Sequence, residues 1–203
     1  MPRIGESTPG FDQPLGLLSA CHRRIAERLE LLERLSDHVG THGSDDPAGA
    51  AARRVLDYFD RAATHHHADE EEDLFPMLRR AEGRAGWDGA LPDALDRLSR
   101  EHRLLATQWA KLRPVLETIT RGQHVAELRC RELIRSYRAH MSVEDGLVFP
   151  LAGRLLTDAE LQRIGSSMQM RRGLNAKADD AVLERAATAV GPWVEGRAGR
   201  GEE

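Results

Sequence analysis

From Pro14 to about Val39 the apolar residues Leu15, Leu18, Ile25, Leu29 and Leu32 recur at steps of three, four or seven, which aligns them on one face of a helix. The Gly-, Pro- and Asp-rich segment from Thr41 to Gly49 predicts a loop, with Asp46 and Pro47 as N-cap and first-turn residue of a second helix that runs to about Ala81. After the turn EGRAGWDG, the residues Leu91, Leu95, Leu98, Leu105, Trp109, Leu112, Leu116 and Ile119 form the clearest seam in the chain, and Gly122 breaks it. A fourth stretch places Val125, Leu133, Tyr137, Val148, Leu151 and Leu155 on its inner face. Pro76, Pro114 and Pro150 fall within the second, third and fourth stretches, where each is expected to kink or end its helix. Thr157 and Glu160 have the spacing of a capping box and open a short fifth helix to about Arg172. The pattern divides the chain into an N-terminal extension (1–13), an up-down four-helix bundle (14–156), a short accessory helix (157–173) and a flexible or loosely helical tail (174–203).

Composition supports an all-α reading. Hydrophobic residues make up 40% and charged residues 31% of the 203, but aromatics only 4%, a balance that suits helices better than strands. The net charge of −4 and the dispersed arginines argue against a nucleic-acid partner. No stretch approaches ~20 apolar residues and the first residues lack a signal-peptide core, so the expectation is a cytoplasmic protein with no membrane partner. Two cysteines, Cys21 and Cys130, are too few and too far apart for a disulfide framework or a CxxC metal site.

Polar residues interrupt the apolar seams at matching places. His22 fills the gap in the first helix, and His102 fills the gap in the third. In the second helix Phe59, Leu74 and Met77 bracket His66 and Glu70; in the fourth the seam is interrupted by His140 and Glu144. The arrangement repeats: Leu-x-x-x-His-x-x-x-Ala occurs at Leu18 and Leu98, and His-x-x-x-Glu followed by Phe-Pro occurs at His66 and His140, which suggests two hairpins related by a pseudo-twofold axis. An ionised carboxylate in an apolar core costs several kcal/mol unless it is compensated, and two close together cost more. Four histidines and two glutamates turned inward therefore point to bound cations. Imidazole with carboxylate and no thiolate suits iron, manganese or zinc.

These residues resemble the hemerythrin-like, HHE cation-binding domain family. The similarity covers roughly residues 14 to 156 and rests on HHHADEEEDLFP and HMSVEDGLVFP, each preceded by a helix with one isolated histidine. The resemblance implies a four-helix bundle holding two non-haem iron ions, with zinc or manganese as alternatives, and chemistry with dioxygen, nitric oxide or peroxide. Its ligands fall on His22, His66, Glu70, His102, His140 and Glu144. The chain departs from oxygen-carrying hemerythrins in the third helix, where Leu98 and Ala106 stand in place of a second histidine; His67 or a water could fill that position. Asp145 competes with Glu144 as the ligand of the fourth helix, and Glu144 is preferred because it repeats the spacing of Glu70.

The function implied is binding or sensing of a small diatomic or peroxide ligand in oxidative or nitrosative stress or iron handling, by a monomer or homodimer. The alternatives are a di-iron enzyme that decomposes peroxide or nitric oxide, and iron storage or donation for cluster repair. Ferritin-like bundles, however, use Glu-x-x-His at spacing three, whereas here the histidine comes first at spacing four. Tyr137, one turn before His140, is a candidate hydrogen-bond donor to a bound oxygen species. Asp69, Glu72 and Asp73 read as a solvated helix face, and Met168, Met170, Arg171 and Arg172 as packing and solvating residues of the fifth helix.

Overall fold

The computed structural model describes residues 9–173, among which every regular element is helical. α1 is Pro14–His42, begun by a first-turn proline and ended at Gly43, whose φ of 73° is accessible to glycine and whose N–H donates to the Val39 carbonyl. α2 is a continuous rod built from α-helical Asp46–Tyr58, π-helical Phe59–Ala63, α-helical Thr64–Ala68, π-helical Asp69–Leu74 and α-helical Phe75–Arg80. α3 is Leu91–Thr120. α4 joins α-helical Arg131–Val143, π-helical Glu144–Val148 and α-helical Phe149–Leu155, and α5 is Asp158–Gly173.

The buried apolar residues form two clusters, and each of the four long helices contributes to both. α1 passes from Leu18 in one cluster to Ile25 and Leu29 in the other, α2 from Val55 and Phe59 to Leu74 and Leu78, α3 from Leu95 and Leu98 to Leu105 and Leu112, and α4 from Leu133 and Tyr137 to Val148 and Leu151. The alternating direction makes this an up-down four-helix bundle, with α1 closing against α4. Between the clusters lies a single level occupied by His22, His66, Glu70, His102, His140 and Glu144.

The prolines act differently from one another. Pro76 and Pro150 each follow a π-helical turn, and the carbonyls four residues earlier, on Glu72 and Gly146, lie inside those turns. A proline ring collides with the i−4 carbonyl and leaves it without a donor, so the wider turn relieves both problems without ending the rod. Pro114 neither ends nor interrupts α3: it sits on an exposed face, and the i−4 residue Ala110 is exposed too, so the carbonyl left without a donor can meet water.

Three local expectations need correction. The N-cap of α2 is Asp45 rather than Asp46; its carboxylate accepts from the Ala48 N–H at 2.9 Å. α4 begins only at Arg131, because residues 123–130 cross the end of the bundle in an irregular path that buries Leu128, whose carbonyl accepts from Ser36. Val125 therefore packs from this connection and not from a helix. The acidic face of α2 is also not simply solvated. Asp69 is fully buried, and Arg171 and Arg172 of α5 both donate to it, with Arg171 reaching on to Glu72 and Asp73 at 2.8 Å each. These arginines thus fasten α5 to α2, while at its other end the Thr157 and Glu160 capping box forms reciprocally and Arg84 grips Glu160 through both oxygens. The tail expected at 174–203 lies outside the described residues, as do residues 1–8 of the N-terminal extension.

Candidate metal centre

Two sets of ligating atoms meet at the polar level. His22, His66, Glu70 and Glu144 form one, and Glu70, His102, His140 and Glu144 the other, with the chosen atoms of each set within 4.8 Å of one another; His67, His102 and His140 satisfy the same limit. The carboxylates belong to both sets because each faces both ways. Glu70 points Oε1 at His66 Nε2 (3.4 Å) and Oε2 at His102 Nε2 (3.4 Å). Glu144 points Oε2 at His22 Nε2 (3.2 Å) and Oε1 at His140 Nε2 (3.2 Å). Carboxylates placed in this way would be available to cations on either side, with His22 and His66 as the further ligands on one and His67, His102 and His140 on the other.

The residues fit such a pair by their unmet hydrogen bonding as well. Both oxygens of Glu70 and Glu144, and Nε2 of His67, His102 and His140, are buried without a hydrogen-bond partner. Buried polar atoms are otherwise almost always paired, so a concentration of seven around one point marks a place where a ligand is expected. Ions about 2.0–2.2 Å from their nitrogen and oxygen ligands hold those ligands about 3–4.4 Å apart, and the contacts of His22 with His66, and of His22, His66, His102 and His140 with the two glutamates, at 3.0–3.8 Å, fall in that range. His22 and His66 meet at 3.0 Å, Nε2 to Nε2, a separation suited to neighbouring ligands of one ion.

The far side of three imidazoles is held by acids. His22 Nδ1 is 2.9 Å from Asp145, His102 Nδ1 2.7 Å from Glu71, and His140 Nδ1 3.0 Å from Glu101. Such contacts fix the tautomer that leaves Nε2 free for a metal. Phe149 stacks on His22 and Phe75 on His102, so the Phe-Pro steps that follow the π turns also wall the site.

Without a metal the charges distribute unevenly. Burial and the neighbouring Glu144 push the Glu70 carboxyl well above the usual range. Burial acts on Glu144 in the same sense, but the close His140 and His22 nitrogens outweigh it and hold Glu144 ionised. Burial, followed by the surrounding imidazoles, keeps His66 and His67 neutral, the form that ligates.

The structure brings the six residues expected from the sequence to one level and adds His67 beside His102 and His140. Asp145 is half exposed and stands behind His22 instead of among the ligating sets. Tyr137 is buried against Phe59 and near the His67 ring. Glu71, Glu101 and the Asp69 clamp were not singled out by sequence reasoning. For Glu71 and Asp145 a signal existed, since an acid follows the inward glutamate in both repeats.

A profile of the family described as hemerythrin HHE cation binding domain matches residues 13–152. An uncharacterized protein of Haemophilus influenzae (strain ATCC 51907 / DSM 11121 / KW20 / Rd) is 28% identical over 164 residues, which cover 80% of this chain and 91% of that protein. No helix among the described residues is long and apolar enough to cross a membrane. With the match reaching into all four long helices and covering the level where their histidines and glutamates converge, the chain belongs to the hemerythrin HHE cation-binding domain family.

Proposed function

We propose that the chain is a non-haem di-iron protein that binds or senses a small diatomic or peroxide ligand. The observation that carries this reading is the two-way placement of Glu70 and Glu144, whose separate oxygens face separate histidine groups. An iron pair supplies Lewis-acid and redox chemistry toward such ligands. The residues present make the two positions unequal, with two imidazoles on one side and three on the other. The side with fewer nitrogens has room for an exogenous ligand. On that side a cavity of about 350 Å³ between α1 and α4, lined by Ser19, His22, Arg23, Ala26, Met141 and Asp145, opens next to His22. A larger groove of about 500 Å³ at Pro114 to Arg129 lies among residues that take no part in the polar level. Phe75 and Phe149 stack on His102 and His22, and the two apolar clusters close the bundle on either side of the polar level.

The test is metal analysis of protein reconstituted with iron(II), joined to optical spectra before and after nitric oxide or peroxide. The expected result is two iron ions per chain and a spectral change on ligand addition. One ion or none per chain, or spectra indifferent to both ligands, would overturn the proposal. Steady consumption of peroxide would move the reading from binder to enzyme.

A further inference from the structure

The two halves of the centre follow one set of correspondences. His22 answers to His102, His66 to His140, Glu70 to Glu144, Glu71 to Asp145 and Phe75 to Phe149. Contacts obey the same exchange: the acid of one half supports the isolated histidine of the other, and the phenylalanine of one half stacks on the histidine of the other. The residue preceding each isolated histidine breaks the pattern. In α3 it is Glu101, which accepts from Nδ1 of His140 at 3.0 Å. In α1 it is Cys21, a buried free thiol, and Nδ1 of His66 is buried with no partner. Cys21 holds in α1 the register position that Glu101 holds in α3, one residue before the isolated histidine, which is where the same exchange would set an acceptor for His66.

An acceptor on Nδ1 does three things for a ligating imidazole: it selects the tautomer with Nε2 free, holds the ring plane and raises the basicity of Nε2. His140 has all three and His66 has none of them. We propose that Glu101 is a positioning residue for His140, and that its absence at Cys21 makes the His22 and His66 position the exchangeable one of two metal positions. This inference rests on the di-metal reading. It assigns the chain one firmly held ion and one that can leave or be replaced, a property suited to accepting or handing on a divalent cation.

The experiment is competition between full-length protein loaded with cobalt(II) and a chromophoric chelator, followed in time. Total cobalt per chain tests the di-metal reading by itself: fewer than two ions would overturn that reading. Given two ions, the wild type is expected to lose them in two phases, with His22→Ala removing the fast phase. Glu101→Ala should accelerate the slow phase about 10- to 100-fold, if the affinity that loss of such a partner costs is expressed as faster release. Cys21→Glu should slow the fast phase, a gain that a merely structural role for residue 21 would not produce. If Cys21→Glu does not fold, Glu101→Ala and the assignment by His22→Ala still decide the matter. A single phase in the wild type, an unchanged slow phase in Glu101→Ala, or an unchanged fast phase in folded Cys21→Glu would overturn the inference.

Discussion

Replacing Arg171 and Arg172 together by alanine isolates the contribution of one buried charge. Asp69 is fully buried, and its carboxylate is compensated from α5, Arg171 donating to Oδ1 and Arg172 to both oxygens. Removing both guanidiniums leaves a desolvated carboxylate with no counter-charge, a change that costs about 3–5 kcal/mol when a buried pair loses one side. The contacts of Arg171 with Glu72 add little, because Glu72 is largely exposed and exposed pairs contribute ~0–1 kcal/mol. Against a total stability on the order of 5–15 kcal/mol, the loss is large. It corresponds to a fall in Tm of roughly 6–20 °C for a chain of this size. Urea unfolding of metal-free protein is the assay, since bound metal would add its own linkage and mask the difference. Adding Asp69→Leu to the double variant should recover most of the stability, because the charge that needed a partner is then gone. A double variant within ~0.5 kcal/mol of the parent, or a triple variant as unstable as the double, would refute the reasoning.

Three further outcomes follow from the geometry. In the metal-free protein burial pulls the His22 pKa down, but Asp145 and Glu144 outweigh it and raise it to about 9. The stability this provides is intact below the ordinary value of 6.5 and lost as pH rises through about 9, and a metal must displace that proton. Apparent metal affinity should therefore climb at least tenfold per pH unit below about 9, more steeply where Glu70 also carries a proton, with proton release visible by calorimetry in buffers of different ionisation heat; a flat profile would count against it. Gly165→Ala should lower stability by about 1–3 kcal/mol in chemical denaturation, since an added Cβ would overlap the Phe11 carbonyl and push α5 from the N-terminal segment; an unchanged midpoint would contradict the close approach. His67→Ala should alter the optical spectrum of the iron- or cobalt-loaded protein while keeping most of the metal, and a spectrum identical to wild type would remove His67 from the proposed ligands.

Much of the bundle was legible because its signal is periodic. His22 and His102 stand out as single gaps in long leucine seams, and His66 with Glu70 and His140 with Glu144 carry the repeat that locates the polar level. What escaped was set by partners far apart in the chain. Asp69 looks like any acid on a helix until Arg171, 102 residues later, is folded against it. Glu101 reads as a surface residue of α3 because its partner His140 lies on another helix. The π turns left no hydropathy mark, although each Phe-Pro step was a clue: a proline that does not break its rod must be accommodated in the turn before it. The false start of α4 at Val125 shows the converse error, an apolar residue assigned to a helix when it packs from an irregular crossing.

The exchange of support between hairpins has a consequence for assembly. Each of the two candidate ligand groups draws atoms from both halves: Glu144 completes the His22 and His66 group, and Glu70 with His67 completes the group on the other side. A polypeptide severed in the turn at residues 81–90, which joins the two hairpins, would yield two fragments, each carrying an unfinished cage. Divalent cation would then serve as the adhesive between them, and its concentration would govern how much of the cut protein reassembles.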